Sequence, residues 1–517
     1  MLNENATDLK LLDCTLRDGG YYTNWDFEAN LVDEYFKEIN QLPIDYVEIG
    51  YRSKRSSSYE GAYYYLPDFI LKECHEKCNK KLAIILNEKE VQIEDLKSFL
   101  KPCKGIISLV RIAVDPVNLE RAFKLSEEIK KLGFKIGFNL MYASKWESYS
   151  LYNHDLSRIN DVADYFYVVD SFGGLYPLDV ENIFTEIKKF ITIPIGFHGH
   201  NNLELALINS LTAIKNGAQI VDSTILGMGR GAGNLKTELI LTLLNKQNNL
   251  PVNFDALLNL SKSFQHLKEK YNWGTNLPYM ISGAFSMPQD TVISKIKKRY
   301  YSLNSIINEN VNTEQNTISY LQDFPIFKPS KNFKSVIIVG GGGSPLKHKK
   351  AHQEFLKQNP DIAIVFVSSK NIHVFSNIAN YQFHCLIGKE GQRLEKMTSL
   401  EEFSNKTFII PPISTSLESY VPMEIKGYTQ VLESLEFDNN LAQSATAIAF
   451  QIAFDLKVEK VFLTGYDGYS ENIQKEELEL FEENQIIFDY TINRGVSLYS
   501  LTPTQYKIAS KAIHSLI

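Results

Sequence analysis

The chain has 517 residues, a formal net charge of -7 and a sequence pI of about 5.9. This length exceeds one ordinary hydrophobic core, so two or three domains are expected. The acidic balance argues against a nucleic-acid partner, and no apolar run is long enough to span a membrane. The polar N-terminus is unlike a signal peptide and the five cysteines complete no zinc site, so a cytoplasmic protein is expected.

The first half of the sequence alternates short apolar strands with amphipathic stretches of helical length. This alternation predicts a parallel sheet, and eight such units in roughly 240 residues match a (β/α)₈ barrel. The active site is then expected at the carboxyl ends of the strands. The predicted strands are Leu11–Leu16, Tyr46–Gly50, Leu82–Leu86, Gly105–Ala113, Lys135–Leu140, Tyr165–Val169, Ile193–His198 and Ala218–Thr224. The helical patterns include Leu31–Ile39, Leu119–Lys131, Val180–Phe190 and Leu203–Asn216.

The second half predicts a different α/β domain after a helical region. Residues 1–245 are assigned to the barrel, 246–330 to a helical extension and linker, and 331–517 to a Rossmann-like domain. Prolines near Phe324–Phe333 indicate the boundary. The predicted strands of the second domain are Ser335–Val339, Ile362–Val367, Phe383–Ile387, Thr407–Ile410 and Val461–Thr464.

Three side chains of metal-ligand type lie at predicted strand ends of the barrel. His198 and His200 end the seventh strand, where residues two apart point the same way, and Asp18 follows the first strand. Two histidines and a carboxylate leave open positions at which a 2-oxo acid can bind through two oxygens. Asn234 can add a neutral oxygen ligand, although its glycine-rich segment can equally be a tight turn or a phosphate loop. The absence of a thiolate favours Mg²⁺ or Mn²⁺ over Zn²⁺.

Several neighbouring residues suit substrate contacts. Arg17 can stabilise an enolate oxygen or bind the substrate carboxylate, or it can form a structural ion pair with Glu48 that would also orient it. Arg111, Asp170 and Ser171 lie on or after barrel strands, where packing inside the barrel is an equal alternative to substrate binding.

These residues resemble the DRE-TIM metallolyases, the family of hydroxymethylglutaryl-CoA lyase, over about residues 8–245. The resemblance is carried by four motifs in order: Asp13–Gly19, Val47–Gly50, His198-Gly199-His200 and Gly229–Asn234. It implies a metal-dependent carbon–carbon lyase, with Asp18, His198 and His200 as ligands, Asn234 as a further ligand and Arg17 as the enolate-stabilising arginine.

Within the family, the sequence is most similar to the 4-hydroxy-2-oxovalerate aldolase branch, because Asn202-Leu203 follows the second histidine. The sequence departs from that branch after Gly19, where the aldolases place a histidine base and this chain has Gly20-Tyr21-Tyr22. Tyr21 or Tyr22 can relay a proton, although an ordinary phenol is a poor base at neutral pH. Metal-bound water or another residue is the alternative, and the substrate need not be 4-hydroxy-2-oxovalerate.

A glycine-rich loop follows the first strand of the second domain. Gly340, Gly341, Gly342, Gly343 and Ser344 can bind phosphate through backbone amides, and Asp467 follows a later strand of the same sheet. The region faintly resembles the Rossmann-like domain of pterin-diphosphokinase-like proteins and some bacterial glycosyltransferases. A nucleotide or nucleotide-sugar site is one interpretation, and a structural turn is the other.

The first hypothesis is therefore a Mg²⁺- or Mn²⁺-dependent aldolase that uses a pyruvate-like enolate and an aldehyde. The second is an acyl-CoA-dependent synthase or lyase. The third is a nucleotide- or sugar-binding protein in which the barrel is only a scaffold. The expected small-molecule partners are a 2-oxo acid and an aldehyde at the barrel, and a nucleotide or nucleotide sugar at the second domain. No nucleic acid and no membrane is expected as a partner. Association into a homo-oligomer is left open.

Overall fold

The alternation of strands and helices builds two compact units in a computed structural model. Unit 1 comprises Met1–Val292 and unit 2 comprises Ile293–Ile517. The structure describes residues 9–55, 59–149, 151, 156–297, 307, 324–329, 331–397, 403–412, 419–437, 441, 444–469 and 475–517. Within these ranges no helix is both long enough and apolar enough to cross a membrane.

Unit 1 contains a closed barrel of eight parallel strands, which confirms the predicted fold. The first strand closes the barrel by pairing with both the second and the eighth. Almost every strand residue is buried, as expected for a parallel sheet covered by helices. The strands are β1 (Lys10–Asp13), β2 (Tyr46–Tyr51), β3 (Lys81–Asn87), β4 (Ile107–Val114), β5 (Lys135–Leu140), β6 (Tyr165–Asp170), β7 (Ile195–Gly199) and β8 (Ile220–Ser223).

Helices alternate with the barrel strands and continue after the last of them. They are α1 (Thr15–Asp18), α2 (Gly20–Thr23), α3 (Ala29–Ile39), α4 (Ala62–Tyr65), α5 (Asp68–Lys77), α6 (Ile93–Leu100), α7 (Leu119–Lys131), α8 (Ile159–Val162), α9 (Pro177–Ile187), α10 (Ala206–Lys215), α11 (Thr237–Asn248), α12 (Phe254–Tyr271), α13 (Leu277–Ala284) and α14 (Gln289–Lys297).

The first strand is shorter than predicted. It ends at Asp13, and Thr15–Asp18 form a single helical turn rather than a continuation of the strand. The cause is local, because the carboxylate of Asp13 accepts a hydrogen bond from the backbone N–H of Thr15 and turns the chain. Arg17 and Asp18 therefore lie on the loop after β1.

The segment after the barrel contacts the carboxyl-end loops. The carbonyl of Tyr279 accepts a hydrogen bond from Asn202 after β7, and the hydroxyl of Ser286 contacts that of Ser144 after β5 at 2.7 Å. Residues 273–289 therefore cover one side of the barrel mouth.

Unit 2 contains an eight-stranded parallel sheet in the order β13-β12-β11-β10-β9-β14-β15-β16. Its strands are β9 (Ser335–Val339), β10 (Ile362–Phe366), β11 (Gln382–Cys385), β12 (Lys406–Ile410), β13 (Thr429–Val431), β14 (Lys460–Thr464), β15 (Ser497–Ser500) and β16 (Ala509–Ser510). Its helices include α15 (Ser344–Lys347), α16 (Lys349–Gln358), α17 (Glu390–Met397), α18 (Ala445–Asp455) and α19 (Lys475–Asn493). The strand order reverses direction between β9 and β14, which is where open parallel sheets bind ligands.

Candidate active site at the barrel mouth

Two histidines of the barrel mouth are held by their Nδ1 atoms. His198 donates from Nδ1 to Asp222 Oδ2 at 2.8 Å, and His200 donates from Nδ1 to the carbonyl oxygen of Asp170 at 2.8 Å. The ring centroids lie 4.9 Å apart, and both residues are buried. Each hydrogen bond uses Nδ1 and leaves Nε2 out of that contact, an arrangement that is also usual for histidines around a protein-bound metal.

Asp18 and Asn234 complete a set of oxygen and nitrogen donors. Asp18 Oδ2 lies 3.5 Å from His198 Nε2 and accepts a hydrogen bond from Asn234 Nδ2 at 2.5 Å. Asn234 Oδ1 is buried and has no hydrogen-bond partner among the described residues. A buried acceptor with no protein partner is available to a water, a ligand or an ion, and a carboxylate, imidazoles and an amide oxygen are donors that fit a divalent cation.

The charges around Asp18 favour its ionised form. Burial alone would raise the pKa of Asp18, but the Arg17 guanidinium, His198 and His200 outweigh it and lower the pKa to about 2. Burial also lowers the pKa of His200 to about 3, so its imidazole is neutral at physiological pH. A carboxylate and neutral imidazoles are the protonation states in which these groups bind metals.

Cys14 lies next to the same group, a neighbour that sequence reasoning did not include. Its Sγ lies 3.8 Å from Asp18 Oδ2 and 3.5 Å from the carbonyl oxygen of Ser223. One ligand atom each of Cys14, Asp18 and His198 lies within 4.8 Å of the other two. Burial raises the pKa of the Cys14 thiol well above its usual value, so the thiol acts as a weak donor to Asp18.

A buried chain of charges links Arg17 to His198. Arg17 Nε donates to Glu48 Oε2 at 2.6 Å, and Arg17 also pairs with Asp18. The other oxygen of Glu48 accepts from Arg111 at 3.1 Å, and Arg111 donates to Asp222 Oδ2 at 2.5 Å. Glu48 therefore orients two arginines, and Asp222 connects this chain to His198.

Asp222 is a residue that sequence reasoning missed. It lies within β8, where a carboxylate among buried apolar residues was the available signal. Arg111, by contrast, was predicted to bind substrate or to pack inside the barrel. Its side chain is fully buried, stacks on Tyr167 and also donates to Asn139.

The remaining predicted substrate residues lie beside the histidines. Asp170 ends β6, and its carboxylate accepts hydrogen bonds from the backbone of Gly174 and Leu175, while burial raises its pKa to about 6. The hydroxyl of Ser171 accepts from the backbone N–H of Tyr142 at 2.9 Å.

Two further polar side chains lie at the mouth and were not singled out from the sequence. Gln289 is 2% exposed, and neither amide atom has a hydrogen-bond partner among the described residues. A side chain at Gly231 would be strained, because its φ is +64°, and a Cβ there would displace the Gln289 amide, whose Oε1 would lie 1.4 Å from it. The guanidinium of Arg230 lies 5.8 Å from the ring centre of Tyr21.

In unit 2, the glycine loop and Asp467 come together at the reversal point of the sheet. Asp467 Oδ2 accepts a hydrogen bond from the backbone N–H of Ser344 at 2.9 Å, and Asp467 Oδ1 accepts one from the Ser344 hydroxyl. The first backbone N–H of α15 is thus already bonded to a carboxylate of the protein. Asn371 donates to the carbonyls of Gly340 and Gly342 and fixes the loop. The nucleotide site stays a prediction.

Comparison with known proteins agrees with the barrel geometry. Residues 108–264 match the model of the HMGL-like family. The 4-hydroxy-2-oxovalerate aldolase of Geobacillus thermodenitrificans is 30% identical over 245 residues, which cover 46% of this chain and 70% of that enzyme. The oxaloacetate decarboxylase of Mycobacterium tuberculosis is 26% identical over 279 residues, which cover 53% of this chain and 81% of that protein.

Among solved structures, the N-terminal domain of a proposed aldolase from Bacteroides vulgatus is 52% identical to this chain. It aligns with a TM-score of 0.56 and covers 58% of this chain and 100% of that chain.

Proposed function

Because this chain belongs to the HMGL-like family, whose members that it resembles are carbon–carbon lyases, we propose that it is an aldolase acting through a pyruvate-like enolate. The enzyme would join a 2-oxo acid and an aldehyde into a 4-hydroxy-2-oxo acid, or cleave that acid into the two. The observation that carries the proposal is the pair of buried imidazoles, each held through Nδ1, beside the carboxylate of Asp18 and the guanidinium of Arg17.

The residues divide into two groups in this proposal. Asp18, His198 and His200 would hold a divalent cation, with Asn234 Oδ1 as a further oxygen, and Mg²⁺ or Mn²⁺ suits this donor set better than Zn²⁺. When bound, the cation supplies Lewis-acid polarisation of the keto group of the substrate.

Arg17 has a separate task. It places a positive charge where negative charge develops on the enolate oxygen, and the short hydrogen bond to Glu48 holds the guanidinium in that position. Its effect is largest in the transition state, because the ground-state keto oxygen carries little charge.

The experiment begins with the metal content of the purified protein. The aldolase proposal expects exchange of deuterium into the methyl group of pyruvate without coenzyme A, and loss of that exchange after metal removal. Mass spectrometry of a panel of 2-oxo acids and aldehydes would then identify the substrates. Exchange that requires an acyl-CoA would favour the Claisen alternative, and a metal-free protein without exchange would favour a scaffold barrel.

A second function is proposed for unit 2, because the Gly340–Gly343 loop lies at the reversal point of the sheet. We propose that this loop binds a phosphate-bearing ligand, a nucleotide or nucleotide sugar, and that Asp467 holds the loop in shape through Ser344. Calorimetric titration of the whole chain with nucleotides and nucleotide sugars, with and without Mg²⁺, tests this. Silence across the panel would leave the loop as a structural turn.

A further inference from the structure

Two tyrosine hydroxyls form a hydrogen-bonded pair between the barrel mouth and solvent. Tyr51 ends β2 and is 9% exposed, whereas Tyr21 in α2 is 41% exposed. Their hydroxyl oxygens lie 3.0 Å apart, and either can be the donor. The pair therefore connects a buried position to the surface through a single hydrogen bond.

Trp25 fixes the pair next to the segment that carries Arg17. The indole N–H of Trp25 donates to the carbonyl oxygen of Arg17 at 2.8 Å. Its ring makes edge contacts with Tyr21 and Tyr51, at centroid distances of 5.0 and 5.5 Å. Gly20 lies directly against this indole, since a Cβ there would be 2.0 Å from it. The tyrosine pair thus has a fixed position beside the proposed active site.

Charges of that site act on Tyr51. The Arg17 guanidinium and the Asp18 carboxylate both interact electrostatically with its phenol, and they oppose each other. Burial is the largest influence, and it raises the pKa of Tyr51 well above the usual value. Tyr51 is therefore a neutral hydroxyl that can pass a proton on, rather than a stored phenolate.

The neighbouring Tyr22 does not offer the same connection. Its hydroxyl donates to the carbonyl oxygen of Gly231 at 2.7 Å, so its own proton is committed to the backbone even though it also hydrogen-bonds the side chain of Tyr279. Tyr64 also packs on Trp25, but its hydroxyl points to Glu90, at 3.4 Å. Of the four phenols in this cluster, Tyr21 and Tyr51 are the two that the structure joins to each other.

We propose that Tyr51, together with Tyr21, carries the proton that leaves the substrate hydroxyl during aldol cleavage. The inference rests on the aldolase function proposed above. It assigns the proton transfer to two phenols of this chain, one of which lies in the Gly20-Tyr21-Tyr22 segment that follows Gly19.

The step balances in protons and electrons. The hydroxyl on C4 of the substrate gives its proton to the Tyr51 oxygen, while Tyr51 gives its own proton to Tyr21 and Tyr21 gives its proton to water. The C4–O bond becomes a carbonyl, the C3–C4 bond breaks, and its electron pair forms the enolate beside Arg17. Protonation of C3 by water then gives pyruvate. Because each oxygen accepts a proton as it donates one, no phenolate has to accumulate.

The test compares three variants that each remove one hydroxyl: Tyr51→Phe, Tyr21→Phe and the control Tyr64→Phe. The substrate is the 4-hydroxy-2-oxo acid that the wild-type enzyme cleaves fastest in the panel. We expect Tyr51→Phe to lower kcat by about 10²- to 10³-fold, the usual contribution of a general acid or base, with metal content and circular dichroism unchanged. Tyr21→Phe should lower kcat by about tenfold, because water can replace its hydroxyl. Tyr64→Phe should behave as wild type.

A proton inventory gives a readout that a structural role would not change. The dependence of kcat on the deuterium fraction of the solvent should be curved in the wild type, where more than one proton moves, and closer to linear in Tyr51→Phe. A Tyr51→Phe enzyme with wild-type kcat, or with reduced kcat and an unchanged inventory, overturns the relay. A wild-type protein that cleaves no 4-hydroxy-2-oxo acid instead refutes the proposed function itself.

Discussion

The barrel mouth of unit 1 and the glycine loop of unit 2 both lie at the carboxyl ends of parallel strands, yet their polar groups are used differently. At the barrel mouth, Asn234 Oδ1 and both amide atoms of Gln289 are buried without a hydrogen-bond partner among the described residues. In the glycine loop, Asp467 and Ser344 are bonded to each other, and Asn371 is bonded to the loop carbonyls.

The difference separates a site whose buried side chains are left available to a ligand from a loop whose side chains already bind one another, where a phosphate would have to bind through the backbone. A buried polar atom without a partner costs about 1–3 kcal/mol, so a fold that keeps several of them together gains from a ligand that binds them. A loop whose polar groups bind one another needs no ligand to be stable. The predictions below test this distinction, from the largest expected effect to the smallest.

The largest effect is expected from Asp18→Asn. The substitution removes the only charge in the proposed ligand set, so the divalent ion should be lost after dialysis. Activity should fall by at least about 10³-fold, because the Lewis acid contributes several kcal/mol to the transition state. The measurements are metal content by mass spectrometry and kcat, with the exposed Asp161→Asn as control. An Asp18→Asn protein that keeps both metal and activity would remove Asp18 from the site.

Arg17→Ala should leave the metal in place and reduce turnover. If the guanidinium acts like an oxyanion donor, kcat should fall by about 10²- to 10³-fold, with a smaller change in KM. The kcat of Arg17→Lys should lie between that of the wild type and that of Arg17→Ala. Lysine keeps the charge but loses the planar geometry that matches Glu48 and Asp18. Steady-state kinetics decide the matter, and a near-wild-type kcat in Arg17→Ala would exclude the proposed role.

Asp222→Asn tests the second partner of His198. The amide keeps the size of the side chain but weakens the hydrogen bond to Nδ1, so metal affinity should fall by about 10- to 100-fold. Competition with a chromophoric chelator measures the affinity. The matched control is Asp255→Asn, the same change at an exposed position in α12. Equal affinities in the two variants would mean that Asp222 serves only Arg111.

The sequence was sufficient for the barrel and for the ligand-type residues, because both depend on local patterns. Strand periodicity identified all eight strands of the barrel, and β5 has the predicted ends. Strand-end position drew attention to Asp18, His198 and His200. The structure places Asp18 next to His198, and His198 next to His200. Their assignment as ligands remains a prediction until metal binding is measured.

What the sequence did not reveal depends on contacts between residues far apart in the chain. Asp222 acquires its importance from His198 and Arg111, which lie 24 and 111 residues away. Tyr51 becomes a candidate only when its hydroxyl is seen next to Tyr21. Three short strands of unit 2, β13, β15 and β16, were missed; their two to four residues include polar ones and offer no continuous apolar run.

Gln289→Ala asks whether unpartnered amide atoms indicate a substrate contact. If the amide binds a hydroxyl or carbonyl of the substrate, KM should rise by about 3- to 10-fold, equivalent to one ordinary hydrogen bond, with kcat changed less. Gln265→Ala, an exposed position in α12, is the control. Unchanged kinetics, with unchanged stability, would show that an unpartnered buried amide is a poor sign of a ligand in this protein.

The smallest effect is expected from Asp467→Asn, and it concerns stability rather than turnover. The carboxylate accepts two hydrogen bonds from Ser344, so its loss should lower the free energy of unfolding of unit 2 by about 1–2 kcal/mol, as for loss of a helix cap. All three tryptophans, Trp25, Trp146 and Trp273, lie in unit 1, so their fluorescence reports on the barrel. Far-UV circular dichroism follows both units, and comparison of the two signals in urea isolates the change in unit 2.

Asp361→Asn, which changes an exposed carboxylate of unit 2, is the control and should leave the free energy of unfolding unchanged. If Asp467→Asn instead raises stability, as removal of a functional charge often does, the glycine loop would resemble the barrel mouth and the proposed distinction between the two regions would fail.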